Sequence, residues 1–88
     1  MGRGPAKQRI TRTDAEFILA MAENGLRVHR TAKTMPMSEN AAGYHVRKII
    51  METGMDPRDF YDMIKLLPIA RGILDEREKQ TLAGNPLG

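Results

Sequence analysis

Pro36 and Ser38 lie two residues apart between two segments of helical periodicity, and this punctuation limits the fold more than any other feature of the chain. Proline lacks a backbone donor and pushes the residue before it away from helical angles, so a helix over about 28–35 must end there. Ser38 is an N-cap type, whose hydroxyl accepts a free amide of the next helix. That helix spans about 39–53, with Ala42, Val46, Ile49, Ile50 and Thr53 on one side and Gly54 as its stop. In the first helix, Ala32 and Met35 face inward, and Ala32 is small enough for the two helices to cross closely. Two short helices joined by a tight turn form the helix-turn-helix layout, in which the second helix lies in a DNA major groove.

The flanking segments read as helical too. Thr13 and Glu16 fit a capping box, and Phe17, Ile18, Met21 and Ala22 recur at helical spacing behind it. With Gly25 as a left-handed residue after Asn24, the first helix is expected over 14–24. Asp56-Pro57 gives a cap followed by a first-turn proline, and Phe60, Met63, Ile64 and Leu67 follow on one face. Pro68 is expected to break or kink this helix near Leu66–Leu67, leaving a last segment over about 69–80 with Ile73 and Leu74. No alternating run is long enough for a strand. The fold expected is all-α, with four or five helices: a flexible basic arm over 1–12, a helix-turn-helix domain over 13–80 and a disordered tail over 81–88.

Composition narrows the class. Eighty-eight residues make one domain, and a chain this short buries only roughly 60 % of its unfolded surface. The absence of cysteine removes disulfides and thiolate metal sites and fits a cytoplasmic setting. Residues 1–12 carry no apolar run of the kind a secretory signal needs, and no apolar stretch approaches the ~20 residues that span a bilayer. The net charge of +3 is uneven, with +5 in residues 1–48 and −2 in residues 49–88. A basic half that contains the helix-turn-helix is the electrostatic footprint of a polyanion binder, and equally of an ordinary solvated surface.

If Ala42, Val46, Ile49 and Thr53 face inward, periodicity sets Glu39, Asn40, Gly43, Tyr44, Arg47 and Lys48 outward. Asn40 suits a bidentate contact with adenine, and Glu39 suits a cytosine amino group. Gly43 allows close approach to the duplex, and Tyr44 reaches a phosphate or a thymine methyl. Arg47 and Lys48 fall late in the helix, where phosphate contacts dominate. Ser38 is a cap before it is a DNA ligand. In the preceding helix, His29, Arg30 and Lys33 cluster, and Arg30 and Lys33 are candidates for phosphate neutralisation. In the arm, Arg3, Lys7, Arg9 and Arg12 are candidates for phosphates or an adjacent minor groove.

Catalysis finds no foothold in the residue pattern. His29 and His45 have no metal-ligand spacing between them or with cysteine, and His45, beside the inward stripe, reads as a packed imidazole. No glycine loop of the phosphate-binding kind occurs. The chain is therefore expected to be no enzyme and to carry no cofactor, no metal and no small-molecule substrate. Its seven methionines read as gap fillers in a small core.

Ala32, Ser38, Asn40, Tyr44, Val46, Ile49 and Thr53-Gly54-Met55-Asp56 together resemble the C-terminal helix-turn-helix of the PucR (purine-catabolism regulator) family and related carbohydrate-diacid regulators. The stretch 56–67 is similar to the helix that follows in that family, and the resemblance covers roughly 14–74. It implies a small DNA-binding transcriptional regulator of the stand-alone kind found in bacterial and prophage genomes. This chain departs from the pattern at the start of the recognition helix, where Ser38-Glu39-Asn40-Ala41 stands for a basic opening. Gly43 and His45 stand where arginine is frequent. Those departures favour an alternative, a non-enzymatic protein-interaction or phage packaging module that keeps the fold. Double-stranded DNA is the partner the first reading requires. The apolar residues of 57–74 suggest a homodimer, because half-sites are normally read in pairs.

Overall fold

The computed structural model describes the main chain of residues 10–84 and the side chains of residues 10–75. It is all-α, with four helices: α1 (Arg12–Glu23), α2 (Val28–Thr34), α3 (Glu39–Thr53) and α4 (Phe60–Gly84). The described residues contain no strand. Helix α1 is the centre of the arrangement. It packs on all three other helices and α2 and α3 pack on each other, whereas among the described residues α4 packs closely on neither of them. The core draws on every element: Phe17, Ile18 and Met21 from α1, Ala32 from α2, Ala42, Val46 and Ile49 from α3, and Met63, Leu66 and Ala70 from α4.

The α2–turn–α3 unit follows the periodicity. Helix α2 ends at Thr34, the Met35 amide donates to the Thr31 carbonyl at 2.9 Å, and the Met37 amide to the Ala32 carbonyl at 2.9 Å. Ser38 caps α3 by accepting the Ala41 amide at 3.0 Å. Gly54 ends α3 at φ 74°, a left-handed angle that strains any residue with a β-carbon. Ala42, Val46 and Ile49 are buried, whereas Ile50 and Thr53 are half-buried at the edge of the stripe. Between α1 and α2, Gly25 and Leu26 both take positive φ (67° and 65°), and the Leu26 amide reaches back to the Met21 carbonyl at 2.8 Å.

Elsewhere the structure corrects the expectations. Helix α1 starts at Arg12, with Thr11 as its N-cap and Asp14, not Glu16, as the acid of the capping box. Ile10 is buried in the core, so residues 10–12 belong to the folded domain and not to an arm. Asp56-Pro57 does not open α4. Pro57 is buried in a turn, and Asp59 does the capping by accepting the Asp62 amide on its carboxylate at 2.9 Å. The buried face of α4 is Met63, Leu66 and Ala70, while Phe60 and Ile64 are exposed. Pro68 neither breaks nor divides the helix: α4 runs through it without interruption to Gly84, which makes residues 81–84 helical. The carbonyl that Pro68 leaves unpaired belongs to Ile64, and both residues lie on the exposed side, away from the packed face.

Candidate nucleic-acid interface

The outward residues of the helix-turn-helix divide into those that face solvent and those that hold the fold. Asn40, Tyr44 and Arg47 on α3 are exposed, as are Arg30 and Lys33 on α2. Tyr44 retains 56 % of its accessible surface, with its ring edge-on to His45 at 5.6 Å between centroids. A β-carbon at Gly43 would lie 3.5 Å from Nη1 of Arg47. The Arg47 guanidinium therefore folds back one turn along α3, as helical side chains do, and covers the surface that glycine leaves bare. Ser38 is used as the cap.

Lys48 belongs to the other group. Its ammonium is paired with the carboxylate of Asp14, and its side chain is only 21 % exposed. The expectation of an outward phosphate ligand does not hold for this residue, because a buried carboxylate on α1 draws it inward. Asp14 is fully buried and accepts from four groups in all: the Thr11 amide and hydroxyl at 3.0 Å each, His45 Nδ1 at 2.8 Å, and Lys48. Burial by itself pushes the Asp14 carboxyl up. The Lys48 ammonium, then the Thr11 amide, His45 and the Thr11 hydroxyl outweigh it and hold the group below its ordinary 3.8.

His45 is the half-buried imidazole that its position beside the stripe suggested, 17 % exposed and stacked on Phe17 at 5.4 Å. Glu39 is not an isolated carboxylate at the head of α3. It pairs with His29 Nδ1 and so links the first turns of α2 and α3. Both side chains are about two-thirds exposed (65 % and 64 %), which makes the pair of little energetic weight.

Arg12 lies in α1 and pairs with Glu16 at 3.3 Å; Arg3, Lys7 and Arg9 lie outside the described residues. Among the described residues, no cluster of three His, Asp or Glu is placed to hold a metal. No helix of those residues is long and apolar enough to cross a membrane.

Sequence reasoning missed Asp14 and Thr31. Thr31 is a buried hydroxyl in α2 that donates to the Arg27 carbonyl at 2.8 Å and touches the Met21 sulfur at 3.2 Å. The Asp14 signal was present, since Thr11-x-x-Asp14 is itself a capping-box spacing two residues ahead of Thr13-x-x-Glu16. Comparison of the chain with family models, curated proteins and solved structures finds no match in any of the three.

Proposed function

We propose that the protein binds double-stranded DNA through α3 in the major groove and acts as a small transcriptional regulator, the reading to which its PucR-like residues also point. The observation that carries it is the α2–turn–α3 unit. Its inner side is packed by Ala32, Ala42 and Val46, while Asn40, Tyr44 and Arg47 on α3 and Arg30 and Lys33 on α2 face solvent. In this reading Asn40 contacts a base edge, and Arg30, Lys33 and Arg47 neutralise phosphates. Lys48 acts at one remove, by fixing α3 to α1 through Asp14.

The test is a selection from random duplexes, followed by a salt titration on the enriched sequence. Binding should weaken linearly in log salt, and the double variant Arg30→Ala, Lys33→Ala should reduce the slope by about 2. Asn40→Ala should instead relax the sequence preference, by roughly 1–3 kcal/mol at one base pair. If no sequence is enriched at about 50 mM salt, the proposal fails.

One observation favours a second reading, a protein-interaction module without DNA affinity. Asp14 takes Lys48 and Glu39 faces His29, so part of the cationic face is already committed within the fold. In that case the selection returns nothing while the fold is intact.

A further inference from the structure

Helix α4 carries an apolar face that the rest of the fold leaves uncovered. Phe60, Tyr61 and Ile64 are 62 %, 73 % and 54 % exposed, with the two rings edge-to-face at 5.5 Å. Lys65 and Pro68 continue the same exposed side. It lies opposite the buried Met63, Leu66 and Ala70. Beside it runs a groove of about 440 Å³, walled by Gly25 and Leu26 from the α1–α2 corner and by Phe60, Met63, Ile64 and Leu67. Three large apolar side chains standing in water within two turns of one helix are not the normal scatter of surface hydrophobics.

We propose that this face binds a second copy of the chain, with α4 packed antiparallel to the partner's α4 about a twofold axis at Ile64. Two features select this occupant. The face is self-complementary in shape. With Ile64 on the axis, residues whose numbers sum to about 128 oppose one another, so Phe60 enters the partner's groove beside the partner's Leu67. Tyr61 then lies against the partner's Pro68, and each copy supplies both the projection and the recess.

The area is also of the right order. The three exposed side chains alone offer on the order of 300–400 Å² per copy, and Leu67, Pro68 and the Lys65 stem extend it toward the ~800 Å² per partner of a standard interface. Among the described residues α4 packs on α1 and not closely on α2 or α3, so such a dimer leaves both helix-turn-helix units open.

The chain has no cysteine, which makes single-cysteine variants clean reporters of this contact. In sedimentation at about 100 µM the full chain should run as a dimer, and Tyr61→Glu with Ile64→Asp should run as a monomer with unchanged helical circular dichroism. Under mild oxidation Lys65→Cys should cross-link, because it sits one residue from the axis. Gly72→Cys, on the same face but roughly 24 Å from its own copy in the antiparallel register, should not.

A monomeric wild-type chain at that concentration overturns the proposal. Equal cross-linking of Lys65→Cys and Gly72→Cys overturns the antiparallel register. No DNA is present in these measurements, so their outcome is independent of the DNA-binding reading.

Discussion

Asp14 shows how one side chain can settle several questions that a sequence leaves open. Thr11-x-x-Asp14 and Thr13-x-x-Glu16 satisfy the same local rule, and local pattern has no means of choosing between them. The choice is made by His45 and Lys48, 31 and 34 positions away, which give the Asp14 carboxylate the partners that a buried charge requires. The same contact explains why Lys48 reads as a surface cation by periodicity and is not one. Asp14→Asn keeps the side-chain size but removes the buried negative charge that accepts from Thr11, His45 and Lys48, and it should cost about 2–4 kcal/mol in a urea melt. It should also change the pH response. The Asp14 carboxyl is held below its ordinary 3.8, so its contribution is complete above that value and is lost as pH falls through the lower folded-state value. Asp56, lowered chiefly by its hydrogen bond from the Arg58 side chain, loses its contribution over a similar range. The Asn variant should therefore show a shallower fall in stability below about pH 4, without becoming flat.

Among the elements, α3 was the most legible and α4 the least. Ser38 and Gly54 fix the ends of α3 through strictly local chemistry, a hydroxyl for a free amide and a left-handed angle that glycine takes without strain. The expected bounds and the observed ones agree there. For α4 the local rules mislead, because tertiary packing decides. Pro68 is tolerated where its missing donor faces solvent, and the buried face shifts to Met63, Leu66 and Ala70, leaving Phe60 and Ile64 outside. The two glycines at issue respond to opposite substitution effects. Gly54→Ala forces a β-carbon into φ 74° and should destabilise by about 1–2 kcal/mol. Gly72 is exposed inside α4 with nothing within 4 Å of an added β-carbon, so Gly72→Ala should stabilise by about 0.5–1 kcal/mol. Thermal melts of the two variants measure both, and equal signs would contradict this account.

At the scale of the whole molecule, α1 is the helix that packs on both the α2–α3 pair and α4. The all-α class and the helix-turn-helix pair could be read from residue spacing, but this central role of α1 could not, since its key contacts are long-range. Helix ends normally open first, because their amides lack partners within the helix. The first turn of α1 is held differently, since releasing Asp14 also breaks its bonds to His45 and Lys48 in the middle of α3. Native-state hydrogen exchange should therefore find the Ala15 amide opening at the same free energy as the Ile49 amide. In Asp14→Asn the two should part, with Ala15 becoming the faster. The first turn of α1 and the centre of the proposed recognition helix would then be a single cooperative unit, so a force or ligand acting on Thr11 is felt at α3.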